Sequence, residues 1–196
     1  MFTGIVERLA DVVTVESAGA ARRLVVRGEF TDMPPVGASV AVNGVCLTVV
    51  SSADGNLAFD VVAESMDRSN LGALSAGSQV NLERPMPATG RFDGHVVQGH
   101  VDGRGTVLSR IDEGGSHRIR VELPSSLARY VVEKGSVTVD GVSLTVTGVG
   151  QDWFEFVLIP HTLDATTLGK RGIGEHVNLE VDVIAKYVER LLEAHS

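Results

Sequence analysis

The sequence predicts an all-β protein: two copies of one small antiparallel barrel, followed by a single helix. Three observations carry this prediction. The stretch Val42-Asn43-Gly44-Val45-Cys46-Leu47-Thr48-Val49 returns as Val139-Asp140-Gly141-Val142-Ser143-Leu144-Thr145-Val146. Further blocks recur around it in the same order. Short runs rich in Val, Ile and Thr alternate throughout with Gly, Pro, Asn and Asp, the punctuation of strands and turns.

The repeated stretch is a strand, a tight turn and a second strand. Asn-Gly and Asp-Gly supply the two positive φ values of a type I′ hairpin. Side chains then alternate, so Val45, Leu47 and Val49 share one face and Cys46 and Thr48 the other. Val142, Leu144, Val146 and Ser143, Thr145 repeat the pattern. Small polar groups on an outer face suit a plain strand surface or the floor of a site, and the hairpin alone leaves both open.

Around the hairpins, residues 4–7 answer to 99–102, 59–62 to 156–159, 64–72 to 161–169 and 80–83 to 177–180. Matched blocks in one order mark an internal duplication. The modules are expected at 1–94 and 95–184, with 84–94 as linker. In the first copy, strands are expected at 3–6, 12–16, 22–26, 39–42, 46–51, 57–61 and 80–82. A short helix is expected at 65–71, capped by Ser65. The second copy follows suit, with an extra short helix at 124–131. Strands this short and dense are best accommodated by closure, which removes exposed edges. The end differs. Val183, Ile184, Tyr187, Val188, Leu191 and Leu192 fall at helical spacing, with Lys186, Glu189, Arg190 and Glu193 between them. This amphipathic helix, placed at 185–196, either packs on its own barrel or makes an oligomer contact.

Composition narrows the function classes. A chain of 196 residues, 43% hydrophobic, can bury two small cores. Its formal net charge of -8 argues against nucleic-acid and polybasic membrane partners. One Cys excludes an internal disulfide, and the six His show no zinc spacing. No apolar run approaches the ~18–20 residues of a membrane span, and Met1-Phe2-Thr3-Gly4-Ile5-Val6-Glu7 does not read as a signal peptide. A cytoplasmic, soluble protein is expected.

These residues together resemble the riboflavin synthase family, the α-subunit type built from two lumazine-binding repeats. The carrying motifs are Met-Phe-Thr-Gly-Ile-Val at the start, Asn-Gly-Val-Cys-Leu-Thr-Val at 43–49, Asp-Gly-Val-Ser-Leu-Thr-Val at 140–146, the Gly-His junction at 94–102 and Thr-Thr-Leu-Gly at 166–169. The resemblance implies two tandem six-stranded Greek-key antiparallel barrels and a C-terminal helix that assembles a homotrimer. It implies conversion of two molecules of 6,7-dimethyl-8-ribityllumazine into riboflavin and 5-amino-6-(ribitylamino)uracil, without metal or redox cofactor. It also implies a site shared between barrels of neighbouring subunits, and lumazine synthase as a further partner.

Carried over residue by residue, the family pattern sets the first lumazine ring against Gly4, Ile5, Val6, Cys46, Leu47, Thr48, Asp60, Val61, Val62, Ala63, Glu64 and Ser65. It sets the second against His100, Val101, Asp102, Lys134, Ser143, Leu144, Thr145, Ile159, Pro160, His161, Thr162, Leu163 and Asp164. Cys46 is the candidate nucleophile or acid–base partner, since a thiol is the most readily ionised nucleophile of that hairpin; otherwise it is a small half-buried hydrophobe. His100 is the candidate proton shuttle. His95 reads as structural, Phe2 as ring-stacking or core, and Ser39 and Asp140 as secondary candidates. Two departures from the family stand out: His161 replaces the usual Glu, and Ser65 the usual Thr. A histidine there makes ligand affinity in the second barrel vary between about pH 5.5 and 7.5; a flat binding titration would count against this. The alternatives are a non-catalytic lumazine- or flavin-binding relative and a flavoreductase module. The latter lacks a following Gly-rich nicotinamide fingerprint.

Overall fold

The structure, a computed structural model, describes residues 1–19 and 21–193. The first copy contains β1 (Arg8–Ala18), β2 (Ala21–Arg27), β3 (Ser39–Val42), β4 (Val45–Ala53), β5 (Asn56–Val62), α1 (Ala63–Arg68) and β6 (Gln79–Glu83). The second contains β7 (Gly103–Glu113), β8 (Ser116–Glu122), β9 (Ser136–Val139), β10 (Val142–Thr145), β11 (Gly148–Val149), β12 (Trp153–Leu158), α2 (Pro160–Ala165) and β13 (His176–Val181). The helix α3 (Val183–Glu193) follows. The last residues of the expected helix, 194–196, lie outside the described residues.

The first copy closes in the order β1-β2-β5-β4-β3-β6, a Greek-key barrel whose strands are all antiparallel to their neighbours. The second keeps the same strand neighbours in a seven-stranded sheet, β10-β9-β13-β7-β8-β12-β11, that stays open between β10 and β11, a half-barrel in place of the closed six-stranded barrel expected. The extra strand comes from a break rather than an insertion. In β4 the register slips between Val49 and Ser51; at the matching place the second copy separates β10 from β11. The flanking ladder survives the break. Lys134 N–H donates to Val146 O at 2.8 Å, as Gly37 N–H does to Val49 O at 2.9 Å. Thr147 N–H donates across the gap to Glu155 O at 2.7 Å.

Each barrel has its own core. Val40, Leu47, Val49, Leu57, Phe59, Val80 and Leu82 fill the first; Val137, Leu144, Val146, Phe154, Phe156, Val177 and Leu179 fill the second. These are matched pairs of the duplication, facing inward by the strand alternation read from sequence. The type I′ turns are present, with φ of 46° at both Asn43 and Asp140 and 78° at both Gly44 and Gly141.

Three local expectations are corrected. Residues 3–6 form no strand; an isolated bridge joins Phe2 to Val97. Ser65 does not cap a helix, because α1 begins two residues earlier, at Ala63 after Val62. The short helix expected at 124–131 shrinks to one 3-10 turn at Ala128–Tyr130, since Pro124 and Gly135 bracket too short a stretch to propagate a helix.

The two barrels meet turn to turn. A Cβ built on Gly44 would lie 2.8 Å from the Gly141 nitrogen, and one on Gly141 would lie 2.7 Å from the Gly44 nitrogen. Around this contact runs a fully buried polar network related by the same two-fold logic. Asn81 N–H donates to Asn43 Oδ1 at 2.8 Å, and Asn178 N–H donates to Asp140 Oδ1 at 2.8 Å. Asn178 Nδ2 then crosses to Asn43 O, and Asn81 Nδ2 crosses to Asp140 O, both at 2.8 Å. Asn70 Nδ2 reaches Asp140 Oδ1 at 2.7 Å. Symmetry also breaks in charge: Asp140 is acidic where Asn43 is neutral, and Arg171 stands beside it where the first copy has Leu74. Burial pushes the Asp140 carboxyl above its usual range, against the pull of Arg171, whose guanidinium lies 3.0 Å away.

Candidate functional site

The segments preceding each barrel exchange partners. Glu83, at the end of β6, accepts Thr3 N–H at 2.6 Å, Thr3 Oγ1 at 2.8 Å and Gly4 N–H at 3.0 Å. Glu180, at the end of β13, accepts Gln98 N–H at 2.7 Å, Gly99 N–H at 3.0 Å and His100 N–H at 3.1 Å. Held in this way, the two segments pair with each other: Phe2 N–H donates to Val97 O at 2.8 Å and Val97 N–H to Phe2 O at 3.1 Å. Each then runs onto the opposite barrel. Cys46 N–H donates to Gly99 O at 2.8 Å, and Ser143 N–H donates to Gly4 O at 2.7 Å. Val101 packs against the first core and Val6 against the second.

This corrects the grouping expected from the family pattern. Gly4, Ile5 and Val6 lie with Ser143 and the second barrel; His100 and Val101 lie with Cys46 and the first. Sequence order suggested otherwise because each segment directly precedes its own module. Chain order does not decide which barrel edge offers the free carbonyl and amide. Close approach explains the glycines. A Cβ on Gly99 would sit 2.7 Å from Cys46 Cβ, and one on Gly4 would sit 2.6 Å from Ser143 Cβ; both residues have φ of 77°.

The first candidate site therefore brings Cys46 and Thr48 of β4, the β5–α1 corner and His100 onto one barrel. Cys46 is half-buried against Phe2, Ala41 and Val97, while Thr48 and His100 are exposed. Phe2 is a core residue, 1% exposed. Leu47 and Val61 turn into the core, so only their backbones border the outer face. Asp60 is clamped by Arg23 through bonds of 2.8 and 2.9 Å, and this pairing holds its carboxyl below the usual range. Glu64 pairs with Arg68 along α1. Val62 and Ala63 are exposed at the corner, and Ser65 is half-buried.

The second candidate site sets Ser143 and Thr145 of β10 beside Gly4, Ile5 and Val6, with the β12–α2 corner. Ile5 and Ile159 are exposed, 44% and 56%. Pro160, His161 and Asp164 are exposed on α2, and Thr162 and Leu163 half-buried. Leu144 turns into the core. Lys134 is exposed, in a left-handed conformation with φ of 65°. That conformation is uncommon for a residue with a Cβ, and such strain collects at functional positions.

Two candidates are engaged within the fold. The Asp102 carboxylate accepts Val181 N–H at 3.0 Å and Lys186 Nζ at 2.6 Å, which fastens α3 to the second barrel. Asp140 lies buried in the turn rather than in either site. His95, read as structural, reaches Ser143: its Nδ1 lies 2.7 Å from Ser143 Oγ and its Nε2 3.3 Å from Thr138 Oγ1. Burial holds its imidazole below the ordinary 6.5. Its proton is then taken up more readily by the unfolded chain, so stability contributed by neutral His95 is complete above 6.5 and declines as pH falls below it. In a nuclear magnetic resonance titration His95 is expected to have a midpoint below 6.5; a midpoint at or above that value would refute its burial in the neutral form.

Glu83 and Glu180 were missed as well, though a signal existed. Both close the matched blocks Val-Asn-Leu-Glu, where a polar pair repeated inside an apolar strand marks a buried anchor. Burial raises both carboxyls above their usual range against the backbone N–H groups they accept.

A family model described as the lumazine binding domain matches residues 3–85 and again 98–182. The chain is 54% identical over 199 residues to a protein named riboflavin synthase from Mycobacterium tuberculosis, covering 99% of each. It is 40% identical over 193 residues to one of the same name from Bacillus subtilis, covering 98% of this chain and 90% of that one. Among solved structures, LumP complexed with riboflavin superimposes with a TM-score of 0.83 at 24% identity, covering 93% of this chain and 100% of that one. LumP complexed with 6,7-dimethyl-8-(1'-D-ribityl) lumazine gives 0.80 at 22%, over 93% and 99%.

Proposed function

The chain belongs to the riboflavin synthase family of paired lumazine-binding domains, and from that premise we propose how its geometry serves the reaction. It converts two 6,7-dimethyl-8-ribityllumazine molecules into riboflavin and 5-amino-6-(ribitylamino)uracil by passing a four-carbon unit from one to the other. The two substrates contain every atom of the two products, so the overall step needs no oxidant or reductant. The observation that carries the reading is the pair of equivalent cradles. Each is a Xaa-Gly hairpin carrying Cys46 or Ser143, overlaid by the glycine segment of the other copy.

Two like ligands that must react with each other need two like pockets. Holding them in register replaces a bimolecular encounter by an oriented one, an effect reaching ~7–11 kcal/mol. In the first cradle, Cys46 and His100 are adjacent across the Cys46–Gly99 backbone bond. They are the groups suited to take the proton lost from the 7-methyl carbon of one lumazine and to assist attack at C7 of the other. In the second, Ser143 and Thr145 offer hydroxyls, Ile5 and Ile159 an apolar face, and Lys134 and His161 polar contacts to a ribityl chain. Incubation with 6,7-dimethyl-8-ribityllumazine is expected to yield riboflavin, with Cys46→Ser and His100→Gln slowing turnover. A wild-type protein that binds the lumazine and forms no riboflavin is instead the non-catalytic relative.

The two lumazines meet across a boundary between chains, in a cytoplasmic homotrimer assembled through α3. Ile184, Tyr187 and Val188 on this helix are 59%, 65% and 49% exposed, which supports a stripe that meets a neighbouring chain. Lys186 and Glu189 hold the helix in place through Asp102, Arg129 and Tyr130 while the stripe faces outward. Removal of residues 185–196 is expected to give monomers with weak activity by light scattering and assay. A truncated chain that remains trimeric would contradict the role of the helix.

A further inference from the structure

A groove of about 480 Å³ runs along the seam between the barrels, apart from both cradles. Its walls come from matched positions of the duplication and have diverged in charge. On the first-copy wall stand Ala73, Leu74, Ser78 and Gln79; the corresponding second-copy residues are Lys170, Arg171, Glu175 and His176. Arg104 completes the charged wall. It pairs with Asn178 as Leu9 pairs with Asn81, so a leucine in one copy answers to an arginine in the other.

Two of these cations are set in place. Lys170 Nζ crosses the seam to Gln79 Oε1 at 2.6 Å, and Arg171 is anchored on, and neutralised by, the buried Asp140. Glu175 spends one carboxylate oxygen on Gly172 N–H at 2.6 Å. Arg104 forms no ion pair among the described residues. Arg104 and Lys170 thus outnumber Glu175 among the charged groups of the groove. In a chain of formal net charge -8, a cleft that concentrates positive charge on one wall runs against the surface as a whole.

We propose that this seam groove binds a phosphate group, as the free ion or as a small phosphomonoester. Arg104 and Lys170 supply the opposing charge and His176 a further ring nitrogen. A phosphate carries about -1.5 to -2 charges near neutrality and accepts several hydrogen bonds, matching an arginine fork beside an ammonium. The volume lies within the ~300–1,000 Å³ of small-molecule sites, leaving room for an organic moiety against Leu74 and Ser78.

The test is calorimetric titration of the full chain with inorganic phosphate, ribose 5-phosphate and ribose. Both phosphates are expected to bind, more weakly as salt rises, and ribose to give no heat. Arg104→Gln with Lys170→Gln should weaken binding at least about tenfold. Ala73→Glu, which places a carboxylate on the opposing wall, should do the same by a route that spares both cations. Lumazine turnover should persist in all of these variants, since none touches a cradle. Equal affinity for the two phosphates identifies the free ion as ligand; tighter ribose 5-phosphate binding adds a role for the first-copy wall. Failure of both phosphates to bind, or binding undiminished in the charge-neutralised variant, overturns the proposal whatever the lumazine assay gives.

Discussion

Replacing Gly141 by Ala is expected to destabilise the protein by about 3 kcal/mol. Two costs combine. At φ of 78° a Cβ is strained wherever it sits, at roughly 1–3 kcal/mol. The added carbon would also lie 2.7 Å from the Gly44 nitrogen and 3.1 Å from its Cα, neither of which is the end of a flexible side chain. Overpacking of this kind costs about 1–3 kcal/mol. The barrels would have to separate, loosening the Asn43–Asn178 and Asn81–Asp140 bonds that cross the seam. For a chain of this size the midpoint of thermal unfolding should fall by roughly 6–12 °C. Gly55 has a similar φ of 75° with nothing within 4 Å of its Cβ position, so Gly55→Ala isolates the strain from the clash. Equal losses at the two positions, by calorimetry, would show that the turn-to-turn contact contributes nothing.

The second large effect tests the exchange of segments. Gly99→Ala should displace Cys46, because its Cβ would lie 2.7 Å from Cys46 Cβ and 3.1 Å from Cys46 nitrogen. Misplacement by about 1 Å within a reacting constellation can cost on the order of 10²-fold in rate, and turnover of the lumazine should fall by about that much. The thiol reports the same displacement directly: its modification rate by a disulfide reagent should change in Gly99→Ala and stay near wild type in Gly4→Ala. In Gly4→Ala the strained contact is with Ser143 instead, 2.6 Å from the added carbon. A thiol that responds to Gly4→Ala and ignores Gly99→Ala would mean that each segment serves the barrel it precedes.

Much of the architecture was legible because it rests on local rules. Asn43-Gly44 and Asp140-Gly141 dictate their turns by steric necessity. The alternation of Leu47 and Val49 with Cys46 and Thr48 sorts inside from outside without knowledge of the rest. The duplication then carries each inference from one copy to the other. The helix at Val183–Glu193 was equally visible in its spacing, although spacing could not say whether its stripe faced its own barrel. Residues 3–6 misled for the same reason that the hairpins did not. They have strand-like composition, but strands need a partner edge, and here the available bonds are taken by Glu83 and by Ser143.

What this sequence determined by itself is therefore the repeated unit: its turns, its inward and outward faces, and the presence of one cradle in each half. Such features depend on residues within a few positions of one another. Tertiary structure alone decided which glycine segment covers which hairpin, that Asp102 is spent on Lys186, and that His95 reaches Ser143. Those outcomes depend on how two nearly identical barrels dock. Docking is settled by the fit of Gly44 against Gly141 and by buried amides that find partners only across the seam.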